Sequence, residues 1–355
     1  MDSYNTATYR EELDTKLKNN ISKTNLDTSH EYLLNPEYLL NPENNRLTIY
    51  PIKNETIWNS YKTQQAAFWT AEEIDFSKDY NDFNKLNANE QHFIKMILAF
   101  FSSSDTIVNI NLGERFLNDV KVREAIVAYT WQMMMESIHS ETYSLQIDNI
   151  VRDPEEKDKL FNAVKEFSCI AEKAAWAVKW IESSESFAMR LLAFAIVEGV
   201  FFSGSFCSIF WLKKRNIMPG LCASNELIAR DEGMHCGFAV MLFSMLANKP
   251  DESDVHAIFQ DAVEIERKFI CESLPCALLG MNSDSMTQYI KFVSDRLLVD
   301  LGYNKFFNVI NPFDFMESIS VEGKTNFFEA RPTQYQKASV LNKSRDNTFK
   351  LTQDF

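Results

Sequence analysis

Residues 191–212 read LLAFAIVEGVFFSGSFCSIFWL, an apolar run with a single carboxylate, Glu198, near its middle. The run is long enough to cross a bilayer, but a lone carboxylate is costly in lipid and can instead bind a metal inside a helical bundle. We expect no second segment of this kind in the sequence. The stretch therefore predicts a helix buried on all sides in the centre of a protein that does not enter a membrane.

The remaining chain up to about residue 300 follows the periodicity of helices. Apolar residues at Phe93, Ile94, Ile97, Leu98 and Phe101, for example, share one helical face. Helix breakers are rare, with 9 Gly and 9 Pro among 355 residues, and no stretch alternates convincingly with the two-residue period of a strand. The sequence predicts an all-α fold of about eight long helices, seven of which we place at 87–111, 122–150, 156–180, 187–215, 222–247, 255–279 and 285–301.

The two ends of the chain lack this periodicity. Residues 1–50 are predicted to form a flexible arm, which contains tandem copies of EYLLNP at 31–36 and 37–42. A repeat of two copies is too short for a solenoid, so we interpret it as a tolerated insertion. Residues 51–328 are predicted to form the helical domain, and the polar residues 329–355 a mobile tail with a few isolated aromatic side chains.

Charge and cysteine content narrow the class of protein. The formal net charge of −14 disfavours binding to nucleic acids, because an acidic surface repels phosphate groups. The six cysteines include no C-x-x-C pair, which favours reduced, buried thiols in a cytosolic protein. The N-terminal sequence MDSYNTATYREELD lacks the apolar core of a signal peptide. We therefore expect a cytoplasmic protein.

Two of the five histidines follow a glutamate by three residues, in the pairs Glu136/His139 and Glu232/His235. Positions i and i+3 lie on the same face of a helix. Each pair can therefore direct one carboxylate oxygen and one imidazole nitrogen at the same point. Either pair taken alone is also typical of a surface contact or of a hydrogen-bonded core histidine.

The order of acidic residues along the chain strengthens the metal interpretation. Asp105 and Glu198 each lie in an apolar helical stretch, 31 and 34 residues before the next E-x-x-H pair. A helical bundle can bind two metals with one carboxylate from each of two helices and an E-x-x-H pair from each of the other two. This sequence supplies that set, with Asp in place of one Glu.

Charge balance points to the same cofactor. Four buried carboxylates are prohibitive to desolvate without compensation, and two divalent ions cancel about four negative charges. Two ferric ions with one bridging oxide and four carboxylates also sum to about zero. Oxygen and imidazole donors without thiolates suit iron or manganese better than structural zinc. The residues therefore predict a pair of iron or manganese ions at this site.

Several specific segments in a fixed order carry a family resemblance: FWTAEEIDFSKD, ESIHSETYSL, AFAIVEGVFFSGSF and SNELIARDEGMHC. From about Leu47 onward the chain resembles the eukaryotic-type small, radical-generating (beta) subunit of class I ribonucleotide reductase. The resemblance implies a ferritin-like helical bundle, a homodimer and a pair of iron ions that is oxo-bridged when oxidised. It also implies two groups of metal ligands, namely Asp105, Glu136 and His139 for one ion and Glu198, Glu232 and His235 for the other.

Tyr143 follows His139 by one helical turn, which places it near the predicted metals. The resemblance implies that Tyr143 carries a stable radical and that Phe202, Phe206 and Ile228 form the apolar pocket around it. A neutral phenoxyl radical survives only where water and reductants cannot reach it. Without the resemblance, Tyr143 would be interpreted as an ordinary core tyrosine.

The resemblance also implies a radical-transfer route through Trp69, Asp231 and His139 to Tyr335 in the tail. We expect Asp231 to accept a hydrogen bond from the His139 ring nitrogen that the metal does not use, and another from the indole N–H of Trp69. Without the resemblance, Trp69 would be interpreted as a core anchor and Asp231 as a surface charge.

The implied function is that of a subunit of ribonucleoside-diphosphate reductase. The di-iron centre would activate dioxygen and form the radical, which passes to a large subunit that reduces ribonucleoside diphosphates for DNA replication. The tail would dock on that subunit through Phe349, Leu351, Asp354 and Phe355. Two alternatives stay open from the sequence: a ferritin-like di-metal oxidase or ferroxidase, and a noncatalytic structural partner subunit.

Overall fold

The computed structural model describes residues 37–273, 277 and 280–316. Within these residues the chain is helical and forms no strand, which confirms the all-α prediction. The tail residues on which docking and transfer were predicted lie outside the described residues, namely Tyr335, Phe349, Leu351, Asp354 and Phe355. The same holds for residues 1–36, which include the first EYLLNP copy.

Eight helices of twelve residues or more make up the described body, in agreement with the predicted number. They are α1 Glu55–Ala66, α2 Ala88–Asp119, α3 Arg123–Ile150, α4 Ser168–Ile181, α5 Phe187–Lys214, α6 Pro219–Ser244, α7 Glu252–Arg267 and α8 Ser283–Asp300. Shorter helices at Asp79–Phe83, Pro154–Phe161 and Ala163–Glu166 connect them.

Local sequence explains where two of the helices that carry predicted metal ligands, α2 and α6, begin. Helix α2 starts with a capping box, in which Asn87 accepts from the Glu90 N–H and the Glu90 carboxylate accepts from the Asn87 N–H. Helix α6 starts with Pro219, and the buried Asp79 carboxylate accepts from the N–H groups of Gly220 at 2.9 Å and Leu221 at 2.7 Å. These contacts satisfy N–H groups that a helix leaves unpaired at its start.

The prediction of one continuous helix over 156–180 is wrong. The chain forms two short helices there before α4, and it is extended at Phe167, with φ −124° and ψ 111°. Just before the second short helix, the Asn162 amide donates to the Asp158 carbonyl at 2.9 Å, a side-chain bond that competes with regular helix formation. The break sets the direction of α4, whose residues Ile170, Lys173 and Trp176 are buried.

Helix α5 occupies the centre of the bundle, as its sequence predicts, and 89% of its most apolar 18-residue stretch is buried. The expectation that no second segment of this kind exists is wrong. By length and composition, helix α2 could also cross a membrane, and 56% of its most apolar 18-residue stretch is buried. It packs along α3 in the bundle.

The described part of the predicted arm, residues 37–50, contacts the helical body. Leu39 is fully buried, and its carbonyl accepts from the Lys121 N–H at 2.7 Å. The Glu37 carboxylate accepts from the N–H groups of Ala247 and Asn248, just beyond the end of α6. The second EYLLNP copy is therefore anchored on the body, while the predicted domain boundaries stay predictions.

Candidate metal centre

Four helices bring the six predicted metal ligands together in the core of the bundle. Helix α2 supplies one carboxylate, α3 an E-x-x-H pair, α5 one carboxylate and α6 the second pair. All six residues are at most 3% exposed: Asp105, Glu136, His139, Glu198, Glu232 and His235. The helical spacing of each pair places its carboxylate and its imidazole on the same inward face.

The ligand atoms form two overlapping groups, in each of which all donor atoms lie within 4.8 Å of one another. The first group contains Asp105, Glu136 and His139. The second contains Glu136, Glu198, Glu232 and His235. Because Glu136 belongs to both groups, the two form one continuous cluster rather than two separate sites.

The imidazoles lie between the carboxylates of α3 and α6. His139 Nδ1 lies 3.3 Å from Glu136 Oε2 and 3.0 Å from Glu232 Oε1. His235 Nδ1 lies 2.8 Å from Glu136 Oε1 and 3.1 Å from Glu232 Oε2. Both rings therefore direct Nδ1 toward the same pair of glutamates.

The pKa shifts show that the cluster holds several negative charges close together and away from water. Burial raises the pKa of Asp105 and Glu198 well above their usual values, and neighbouring carboxylates add to the effect. Burial opposes the charged form of both imidazoles, but contacts with the carboxylates outweigh it, raising the pKa of His139 well above its usual value and that of His235 to about 10. The negative charges thus require compensation by protons or cations.

Unpartnered buried oxygens show that the residues fit a pair of metal ions. Asp105 Oδ2 and Glu198 Oε2 are buried without a hydrogen-bond donor, although buried polar atoms in folded proteins nearly always have a partner. Oxygen and imidazole donors together suit iron and manganese. Both the donor set and the need for positive charge therefore fit the predicted cofactor.

Glu198 lies in an irregular stretch of α5 that the sequence pattern did not reveal. Residues Val197–Phe201 form a π-helical turn, which widens the helix at the position of the carboxylate. The next residue, Gly199, lies so close to other helices that an added Cβ would come within 3.0 Å of Cys236 Sγ and 3.1 Å of Leu297 Cδ2. A glycine beside Glu198 in an otherwise apolar run was the one available signal.

A hydrogen-bonded chain leads out of the cluster. His139 Nε2 lies 3.2 Å from Asp231 Oδ2, and the Trp69 indole N–H donates to the same oxygen at 2.7 Å. Both contacts predicted for Asp231 are therefore present, whereas the role of these residues in transfer stays a prediction. Burial disfavours the charged Asp231, but the bond from His139 and the charge of Arg230 leave its pKa below the usual value.

Tyr143 lies in an aromatic pocket and is 1% exposed. Its ring stacks on Phe101 with 4.6 Å between ring centroids. Phe101 in turn contacts the predicted pocket residues Phe206 at 5.1 Å and Phe202 at 5.7 Å, and Ile228 is fully buried. Burial raises the pKa of Tyr143 well above its usual value, and the charge of Asp105 adds to the effect, so the phenol is neutral.

Sequence reasoning missed three residues that contact this site. Gln132 Nε2 donates to Glu136 Oε1 at 3.3 Å and to Glu198 Oε1 at 3.2 Å, so it links a carboxylate of α3 to one of α5. Arg230 holds the other oxygen of Asp231 at 2.8 Å. The third is Phe101. Gln132 and Phe101 each lie four residues before a predicted ligand on the same helix, and that spacing could have identified them.

The sequence profile of the family "Ribonucleotide reductase, small chain" matches residues 46–312. The protein is 56% identical over 317 residues to a ribonucleoside-diphosphate reductase small chain of Arabidopsis thaliana, and the match covers 87% of this protein and 96% of the relative. It is 57% identical over 311 residues to the ribonucleoside-diphosphate reductase small chain of Variola virus, with 88% of this protein and 97% of the relative covered.

Solved structures show the same fold. The ribonucleotide reductase Rnr4 homodimer from Saccharomyces cerevisiae has a TM-score of 0.74 at 38% identity, covering 86% of this protein and 99% of the other. The ribonucleotide reductase R2 subunit from Clostridium botulinum has a TM-score of 0.72 at 23% identity, covering 81% and 94%. The predicted ferritin-like fold is thereby confirmed.

Proposed function

Because this chain belongs to the small-chain family of ribonucleotide reductase, we propose that it holds a di-iron centre and generates a stable radical on Tyr143. The family makes the chain a subunit of an oxidoreductase, ribonucleoside-diphosphate reductase. The observation that carries the proposal is the convergence of four carboxylates and two imidazoles in the same buried core as one enclosed phenol. The radical would then serve a large subunit that reduces ribonucleoside diphosphates to deoxyribonucleoside diphosphates.

The two overlapping groups support the proposed division of the ligands. Asp105, Glu136 and His139 would hold one ion, Glu198, Glu232 and His235 would hold the other, and Glu136 would be shared because it belongs to both groups. When bound, the iron pair supplies the one-electron oxidation of Tyr143, with dioxygen as the oxidant. A bond from His139 Nε2–H to Asp231 leaves the Nδ1 lone pair directed at the cluster, which is the tautomer that ligation requires.

Tyr143 loses a proton together with its electron, since a buried phenoxyl radical is neutral. We infer that the proton moves toward the Asp105 side of the cluster, because the charge of Asp105 acts on Tyr143 more strongly than that of any other carboxylate. This transfer keeps the net charge of the core low.

The aromatic pocket would preserve the radical. Phe101 covers one face of the Tyr143 ring, and Phe202 and Phe206 pack behind Phe101. Water and small reductants are therefore kept from the phenoxyl oxygen, and the packed rings leave Tyr143 little freedom to move.

The outward route would run from the cluster through His139, Asp231 and Trp69, and then to Tyr335 in the tail. The continuous hydrogen bonds at 3.2 and 2.7 Å support the first steps, because an indole bonded to a carboxylate can release its proton as it loses an electron.

We further propose a cytoplasmic homodimer that docks on the large subunit through the tail residues Phe349, Leu351, Asp354 and Phe355.

The test is Tyr143→Phe in protein loaded aerobically with iron. We expect the variant to keep its iron and to lose the tyrosyl signal in electron paramagnetic resonance, because phenylalanine cannot form a phenoxyl radical. The matched control is Tyr129→Phe, which changes another fully buried tyrosine on the same helix and should keep the signal.

Other outcomes would identify other functions. A tyrosyl signal that persists in Tyr143→Phe would contradict the assignment of the radical. Wild-type protein that binds iron but forms no radical would support a ferritin-like oxidase. Failure to bind iron at all would support a structural partner subunit.

A further inference from the structure

A buried ion pair lies in the core outside the carboxylate cluster. The Lys173 ammonium on α4 donates to Glu266 Oε2 on α7 at 2.6 Å. The two side chains are 1% and 0% exposed. Neither residue was identified from the sequence, and neither has a role in the chemistry described above.

Stability alone does not explain this pair. Removing two charges from water costs several kcal/mol per ion, and a buried pair is often no more stabilising than apolar residues of similar size. Burial lowers the pKa of Lys173 and raises that of Glu266, with the charge of each partner opposing the change. The pair must therefore be judged by the other groups that it holds.

Those groups are backbone atoms of α5 at the end of its π-helical turn. The Lys173 ammonium also donates to the Phe201 carbonyl at 2.6 Å, and the Gly204 N–H donates to Glu266 Oε1 at 3.2 Å. Phe201 ends the turn, and Gly204 is the second residue of the α-helix that resumes at Ser203. Backbone groups at such a junction lose their regular partners, and this ion pair satisfies one carbonyl and one N–H.

The same pair contacts the aromatic pocket. The Lys173 ammonium lies 3.7 Å from the centre of the Phe100 ring. Phe100 contacts both Phe202, at 5.7 Å, and Phe101, the ring that stacks on Tyr143. A shift of Lys173 would therefore be transmitted to the packing around the phenol as well as to the turn that contains Glu198.

We propose that Lys173 and Glu266 are positioning residues that lock the π-helical turn of α5, and that this lock places Glu198 in the cluster and Phe202 in the pocket. The inference rests on the proposed function for its link to metal and radical. Its structural part, the locking of the turn, does not depend on that function.

The test neutralises both partners at once with Lys173→Met/Glu266→Gln, so that no unpaired charge stays buried. We expect the amides of residues 200–205 to exchange with deuterium at least about tenfold faster, because the turn loses its side-chain partners. Affinity for Mn(II), measured by calorimetry, should fall about tenfold, as is typical when support for a ligand is removed. The tyrosyl signal should change its line shape and decrease.

The chain offers a matched control in the exposed pair Glu172 and Lys268. This pair also joins α4 to the end of α7, with 2.6 Å between Lys268 Nζ and Glu172 Oε1, but its side chains are 46% and 51% exposed. Glu172→Gln/Lys268→Met should leave exchange, Mn(II) affinity and the radical signal unchanged.

A second variant perturbs the lock without removing a charge. A Cβ at Gly204 would lie 2.7 Å from Glu266 Oε1 and 3.1 Å from Ile270 Cγ1. Gly204→Ala should therefore displace Glu266 and produce the same three changes, even if the double variant fails to fold.

The outcomes separate the two proposals. Wild-type exchange, Mn(II) affinity and radical signal in Gly204→Ala or in the double variant would overturn the lock. Faster exchange in both variants, with no tyrosyl radical even in wild-type protein, would keep the lock and reject the proposed function.

Discussion

The two halves of the cluster use the same E-x-x-H spacing but are held in different ways. In the first half, Asp105 and Glu136 project from regular α-helix, and His139 is fixed from behind by Asp231. In the second half, Glu198 projects from a π-helical turn whose end is held by the Lys173–Glu266 pair. One half is braced by a hydrogen bond to a side chain, the other by bonds to the backbone.

This difference indicates a division of roles. The His139 side of the cluster is continuous with Trp69 through Asp231, so changes of charge there can be coupled to residues farther out. The π-helical turn, by contrast, fixes Glu198 through the backbone, because Lys173 and Glu266 hold its end. We expect the first half to govern transfer and the second to govern the position of the ligands.

The largest effect should come from the residue that both halves share. Glu136→Gln removes a charged oxygen donor from both groups, so affinity for both ions should fall, by about a hundredfold. Asp105→Asn, which alters the first group alone, should weaken one ion more than the other. Calorimetric titration of each variant with Mn(II) measures the affinities for the two ions. If Glu136→Gln weakens a single ion, the two halves are independent sites.

A smaller effect is expected from breaking the outward chain. Asp231→Asn removes the charge that orients His139 and accepts from Trp69, so nucleotide reduction with the large subunit should fall by about tenfold or more. Radical content should fall much less. The matched control is Asp261→Asn, which weakens the 2.8 Å bond between Trp176 and Asp261 away from the cluster. Equal losses in both variants would show a packing effect rather than transfer.

The smallest effect on the site is expected at the start of α6, the helix that carries Glu232 and His235. The change there is one of stability. Burial raises the pKa of Asp79 from 3.8 to about 6, although bonds from Gly220, Gln146 and Leu221 act in the opposite direction. The folded protein therefore holds this proton more tightly than the unfolded chain does, and its contribution to stability is lost as pH rises from about 4 through about 6.

Relative to Asp79→Asn, the wild-type free energy of unfolding should decrease by about 2 kcal/mol over that pH interval. Urea denaturation of both proteins at several pH values measures the difference. A difference that stays constant, or that increases with pH, would show that the helix N–H groups keep Asp79 ionised in the folded protein.

The predictions that succeeded rest on local geometry and on polar residues in apolar surroundings. Glu136 and His139 share a face because α3 is helical. Glu198 was predicted to bind a metal because the neighbouring residues in the sequence are apolar. The family resemblance then assigned Tyr143 to the same core, where the structure places it.

Sequence reasoning did not detect local irregularities within helices, and it also missed the second long apolar helix, α2. The break at Phe167 and the π-helical turn at Val197–Phe201 both lie within stretches whose apolar periodicity continues. Hydrophobic periodicity predicts which face of a helix is buried, but it does not predict a local change in the hydrogen bonding of the backbone. That change depends on partners such as Lys173 and Glu266, which are 93 residues apart in the chain.

The sequence by itself determined the helical class, the two E-x-x-H pairs and the buried carboxylates, because each depends on spacing within one helix or on composition. Only the tertiary structure decided that Glu136 belongs to both groups, that Gln132 links Glu136 to Glu198 and that Lys173 and Glu266 support the turn behind Glu198. These are contacts between helices, and their geometry follows from how the whole core packs rather than from any single segment.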